Sequence, residues 1–178
     1  MNVYANFFSI VTISLFGAGC SFFETPTELN AGMVNSLPIK NLVQSADNAF
    51  SGGQASQVDL SIMKDGGIQH VVNLRPSSEQ DWNEGEAVEA LGMSYYQIDV
   101  AGADDLSLAN AQKLGALING FGSEPYFVHC ASGNRVGALI AINEVIANGK
   151  DVEEAIEIGK QWGLTMLEPK VRSVLQNQ

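Results

Sequence analysis

The sequence predicts an α/β fold with a central, mainly parallel sheet flanked by helices. Three observations carry this. Short β-branched runs alternate with helix-period segments from Phe50 onward. Gly and Pro punctuate nearly every boundary between them. The segment Val136 to Ile146 is almost wholly apolar, as expected of a helix buried on most sides. With 178 residues, 46% of them apolar and 16% charged, the chain is long and apolar enough for one domain with a real core and a short extra segment.

In chain order, Ser51-Gly52-Gly53 reads as a turn, and Val58 to Lys64 as a short helix ended by Gly66-Gly67. His70 to Leu74 is a β-branched run bounded by Gly67 and Pro76, hence a strand. Glu84 to Leu91 is a helix closed by Gly92. Tyr95 to Val100 is a strand, and Gly102 to Asp105 a loop. Leu114, Leu117, Ile118 and Phe121 recur at helical spacing. Tyr126 to Val128 is a third strand running into His129-Cys130. The apolar helix follows, then helices over Val152 to Gln161 and Lys170 to Leu175. Strands that alternate with helices make βαβ units with right-handed crossovers.

Upstream of this pattern, no charged side chain occurs before Glu24. Phe7 to Phe16 is mostly apolar and leads into Gly17-Ala18-Gly19-Cys20. This is the form of a secretory signal, too short to span a bilayer comfortably. The last four residues resemble a bacterial lipobox, which would make Cys20 a lipidated first residue and attach the protein to a membrane. The expected organisation is a signal peptide over 1–20, a polar, turn-rich linker or arm over 21–45, and the α/β domain over 46–178. The expected location is outside the cytoplasm, periplasmic or membrane-anchored.

A net charge of -11, with nine scattered Lys and Arg, excludes a nucleic-acid-binding surface. Any anion must be held in one pocket. His129-Cys130-Ala131-Ser132-Gly133-Asn134-Arg135 has the makings of one. A strand ends, a turn follows, and a helix begins at about Arg135. Gly133 opens backbone angles that let successive amides point inward. Such a nest at a helix N-terminus binds an anion without lysine and favours the thiolate of Cys130. The amides of Ala131, Ser132, Gly133, Asn134 and Val136 are the expected substrate cradle, and Arg135 adds a planar fork of donors. His129 is expected to orient the loop by hydrogen bonding. With Cys20 lipidated or removed, Cys130 has no disulfide partner. Two histidines and one cysteine make no metal constellation, and no cofactor is expected.

The Cys130 loop resembles the phosphate-binding loop of protein tyrosine and dual-specificity phosphatases. The chain is more closely similar to the bacterial phosphatase-like family found also as the phosphatase-like domain of β-lactamase-hydrolase-like proteins. The matching stretches are Ser51-Gly52-Gly53-Gln54, Gly67 to Pro76 with Glu79, the Cys130 loop, Gly163-Leu164-Thr165 and Glu168-Pro169. The resemblance implies a cysteine-phosphatase-like fold over residues 45–175, with Cys130 as nucleophile, Arg135 as anion clamp, and a phosphorylated or other small oxyanion substrate.

The sequence departs from the dual-specificity pattern at three places. Four residues separate Cys130 from Arg135 instead of five. Val136 stands where a Ser or Thr usually helps the thiolate leave, so Ser132 is the available substitute. The general acid, an Asp after the preceding strand, falls to Asp104 or Asp105 in the loop beginning at Gly102, with Asp99 also in the region; the plainer reading is that they cap the helix beginning near Leu106. The four-residue spacing also resembles the loop of rhodanese-like sulfurtransferases, which would carry a persulfide on Cys130. A third reading is a weakly active oxyanion-binding module. Arg75 lies at the same sheet edge and either lines the pocket or pairs with Glu79 or Glu84. His70, Trp82 and Trp162 are expected to be packing residues.

Overall fold

A computed structural model describes residues 28–176. The expected signal peptide over 1–20, with Cys20, lies outside the described residues. The elements in order are α1 (Ala31–Asn35), β1 (Val43–Ala46), β2 (Ala49–Gly52), α2 (Gln57–Asp65), β3 (His70–Asn73), α3 (Glu84–Ala90), β4 (Ser94–Gln97), α4 (Leu108–Gly120), β5 (Tyr126–His129), α5 (Asn134–Asn148), α6 (Val152–Gln161) and α7 (Glu168–Gln176). The strands form one sheet in the order β1-β2-β5-β3-β4, in which only the β1–β2 pair is antiparallel. The expected mainly parallel α/β sheet is therefore present.

Period-two alternation sends neighbouring strand residues to opposite faces. Ala49, Val72 and Val128 join one core with α4, α5 and α6, while Phe50, Val71 and Phe127 join a second with α2. Helix starts follow capping chemistry. Ser56 accepts from the Asp59 amide and Asp59 from the Ser56 amide, a closed capping box on α2. Ser107 caps α4 and Asp151 caps α6. The helices expected over Val58–Lys64, Glu84–Leu91 and Val152–Gln161 appear within a residue or two of those bounds.

Three expectations are corrected. Residues 31–46 are not a loose arm but carry α1 and the edge strand β1. Val34, Leu37 and Ile39 lie buried in the second core, so apolar burial holds a segment whose polar neighbours and Pro38 suggested a tether. Ser51-Gly52 belongs to strand β2, every residue of which is buried between β1 and β5. Its small residues hide the β signature. The strand expected over Tyr95–Val100 ends at Gln97. Ile98 and Val100 still donate to the carbonyls of Asn73 and Leu74, but as single bonds beyond the end of β4.

The parallel strands finish level. His129 is in register with both Gly52 and Asn73, and Asn73 with Gln97. The segments after them, Gly53-Gln54, Arg75, Ile98 to Val100 and Cys130, therefore emerge side by side at the carboxyl edge, where open α/β sheets bind ligands.

Candidate active site

Cys130 is buried at the bottom of this edge, with its amide bonded to the Gly52 carbonyl. The chain then turns through Ala131 and Ser132 to Gly133, whose φ of 81° starts helix α5. Among the described residues, no backbone N–H from Ala131 to Val136 has an acceptor in the protein. The carbonyls of the loop, by contrast, are engaged. Cys130 O lies 3.4 Å from His129 Nδ1, Ser132 O accepts from Asn41 Nδ2 at 3.1 Å, and Gly133 O accepts from the Gly137 amide. Outward carbonyls and unpaired amides in one short loop make an anion-binding nest, reinforced by the positive end of a helix of 15 residues. The amides of Ala131, Ser132, Gly133, Asn134 and Val136 all lie in this loop. Val136's side chain, however, is fully buried in the core and offers the loop only its amide.

Arg135 is gripped on one edge. Its Nη1 donates to Glu79 Oε1 and the Val100 carbonyl, and its Nη2 to Glu79 Oε2 at 2.7 Å. Of the guanidinium's donors, Nε–H and the second Nη2 hydrogen remain, a parallel pair suited to two oxygens of one anion. Hydrogen bonds from Arg135, and the charges of Arg135 and Arg75, hold the Glu79 carboxyl below its ordinary value of 4.5, against the opposing effect of burial. Arg75 does not enter the loop. Its Nη2 donates to the Glu79 carbonyl, its Nη1 to Gln54 Oε1, and its Nε lies 3.6 Å from the Glu79 carboxylate. The plainer of its two readings, pairing with Glu79, is what the structure contains.

Beneath the loop lies a buried polar cluster centred on Glu84, which is 1% exposed. Its carboxylate accepts from Gln54 Nε2 and Asn73 Nδ2, each at 2.6 Å. It also stands 3.1 Å from His129 Nε2, at an orientation short of a good hydrogen bond. His129 thus faces two oxygen acceptors, Glu84 on one side and Cys130 O on the other, while its ring stacks on Phe127. Asn73 Nδ2 reaches the Tyr95 hydroxyl too, and burial first, then the nearby Glu84 charge, pushes the Tyr95 phenol up to about 12. Sequence reasoning missed Glu84, Gln54, Asn73 and Asn41 as supports of this site. The Gln54 and Glu79 positions fell within matching motifs, but nothing in the spacing tied Glu84 or Asn41 to the loop.

The two candidate acids differ. Asp105 is turned back on its own short 3-10 turn (Ala103–Asp105), accepting from the Ala101 amide at 2.8 Å. Asp104 is fully exposed and touches Lys170 Nζ of α7 at 3.4 Å. Neither caps α4, since Ser107 does so. Val100 O, bonded to Arg135, anchors the base of this loop at the rim of the nest. On the other rim, Asn134 Oδ1 accepts from the Thr165 and Leu167 amides and docks the α6–α7 connection on the loop. Gly163, at φ 97°, packs on the Gly133 backbone, and any Cβ there would press on it. Of the expected packing residues, Trp162 is buried in the first core, Trp82 packs on the second, and the near-buried His70 stacks on Phe121 with Nε2 2.7 Å from Glu124 Oε2.

Comparison with known proteins agrees with this architecture. A family model described as "DSP-PTPase phosphatase fused to NAD+ Kinase" matches residues 34–171. No curated protein matches the chain. Among solved structures, a DUF442 protein from Shewanella putrefaciens CN-32 superposes with a TM-score of 0.60 at 22% identity, over 79% of this chain and 94% of that one. PTPMT1 in complex with PI(5)P gives 0.56 at 15%, over 78% and 99%. Pseudomonas aeruginosa TpbA in complex with pTyr gives 0.54 at 12%, over 76% and 83%. At these identities the likeness is one of fold.

Proposed function

We propose, from the premise that this chain belongs to the family of dual-specificity-type protein tyrosine phosphatases described as fused to NAD+ kinase, that it hydrolyses a phosphate monoester through a phosphocysteine on Cys130. The observation that carries this reading is the run of unpaired amides from Ala131 to Val136 after a cysteine at the end of a parallel strand, with a free edge of Arg135 beside it. Amides fixed in advance stabilise charge on the equatorial oxygens of a phosphoryl group without reorganising. The Cys130 thiolate attacks phosphorus in line, an S–P bond forms, and the ester P–O bond breaks. The departing oxygen takes a proton from Asp104, whose side chain is tied among the described residues by Lys170 alone, whereas the Asp105 carboxylate already serves the Ala101 amide. Water then attacks the phosphocysteine while the Asp104 carboxylate takes its proton; a P–O bond forms, the S–P bond breaks, and phosphate leaves with the Cys130 thiolate and the Asp104 acid restored. Because Val136 supplies no hydroxyl and is buried in the core, the assisting group in this reading is the Ser132 hydroxyl of the same loop.

Aryl phosphate turnover by the protein, with Cys130→Ser in parallel, tests the reading: phosphate release is expected from the first and none from the second. Sulfur transfer is the competing chemistry, favoured by the four-residue spacing between Cys130 and Arg135. Thiocyanate formed from thiosulfate and cyanide, with no phosphate released from the aryl ester, would move the assignment to it. We propose too that residues 1–20 direct export and that Cys20 carries a lipid. Membrane-bound protein should become soluble in a Cys20→Ala variant, and an unchanged distribution would count against the lipid.

A further inference from the structure

We propose that Asn41, in the segment before β1, is a positioning residue that holds the phosphate cradle open by fixing the peptide between Ser132 and Gly133. The inference rests on the phosphatase reading for its ligand, but its geometry stands apart. Asn41 is the only non-glycine among the described residues with a positive φ, 53°. A side chain with a Cβ is disfavoured there, and Asn is among the types that tolerate it best. A backbone outlier that persists beside a site invites a functional explanation.

The explanation lies in what the side chain reaches. Its Nδ2 donates to Ser132 O at 3.1 Å, across 91 positions of sequence. In a trans peptide the C=O and the following N–H point in opposite directions. Holding Ser132 O outward therefore aims the Gly133 N–H the other way, into the nest. The neighbouring peptides are held by other means. Cys130 O faces His129 Nδ1, and Gly133 O is bonded within the start of α5. Ala131 O lies against Gly53, where an added Cβ would stand 3.1 Å from it. Gly133, at φ 81°, can rotate more freely than its neighbours, so the Ser132–Gly133 peptide is the one most in need of an external clamp. Asn41 is itself held in a tight turn: Leu42 N bonds Ile39 O, and Gly53 N bonds Lys40 O at 2.8 Å.

The test separates clamp from fold. Asn41→Gly in the full chain removes the donor while relieving the backbone, so stability should hold or rise. Its melting temperature is expected to be no lower than wild type, its dissociation constant for orthovanadate about tenfold higher, the effect of one lost hydrogen bond. Its crystal structure should show the Ser132–Gly133 peptide rotated or in two orientations. Asn41→Asp, which faces a carbonyl with a carboxylate, should bind orthovanadate more weakly still. Unchanged orthovanadate affinity in both variants, or an unchanged peptide orientation in the glycine variant, overturns the proposal. If the wild-type protein binds no orthovanadate, the phosphatase reading falls instead, and the peptide orientation still decides the part of Asn41.

Discussion

Arg135 gives one edge of its guanidinium to Glu79 and Val100 and keeps Nε–H and one Nη2 hydrogen for a ligand. Lysine offers a point charge and cannot keep both edges. Arg135→Lys is therefore expected to lower kcat/KM by two orders of magnitude or more, on the scale of a lost oxyanion donor. Glu79→Gln should cost less, because it loosens the guanidinium without removing it. The Glu79–Arg135 pair also has a pH signature. The folded-state Glu79 value lies below 4.5, so the pair's contribution is full above that value and is lost as pH falls through the lowered one. Thermal melts on acidification should show this loss in wild type and a shallower one in Glu79→Gln. Asp104→Asn is expected to slow aryl phosphate hydrolysis about a hundredfold or more, while Asp105→Asn acts on the loop it braces. At this scale Cys130, Gly133 and Arg135 were legible because their chemistry is contiguous in the chain. Glu84 and Asn41 were not, since each meets the loop only through tertiary contact.

Helix α5 and the α6–α7 connection form the element-scale counterpart. Gly137 lies against the backbone of Leu164 and Gly159, and an added Cβ would collide with both. Backbone atoms cannot step aside as a flexible side chain can. Gly137→Ala is expected to destabilise by about 2–3 kcal/mol, the upper part of the range for overpacking, measured by denaturant unfolding. An unaffected midpoint would mean that α6 can move off α5 at little cost. The helices themselves were readable from spacing and caps, and α5 from its unbroken apolar composition. Strand β2 was not, because Ser51 and Gly52 look like turn residues until β1 and β5 cover them.

For the molecule as a whole, two cores on opposite faces of one sheet share the work of folding. The second core draws Val34, Leu37 and Ile39 from before β1. Each such buried aliphatic contributes about 1.5–3 kcal/mol, and together they rival a net stability of about 5–15 kcal/mol. A fragment spanning 46–178 should therefore be unfolded or melt far lower than one spanning 28–178, as circular dichroism would record. Equal melting would return residues 28–45 to the status of a tether. The domain start was misplaced because polar residues and prolines dominate that stretch, and burial of a few side chains is invisible to composition.

The central claim is that Cys130 takes the phosphoryl group. Acid quenching during aryl phosphate turnover, followed by mass spectrometry of the Cys130 peptide, tests it most directly. With Ser132 standing in for the hydroxyl that Val136 lacks, breakdown of the intermediate should be slow enough for a phosphoryl adduct on Cys130 to accumulate, and Cys130→Ser should show neither adduct nor turnover. Turnover that persists in Cys130→Ser, with no adduct in wild type, would contradict the account.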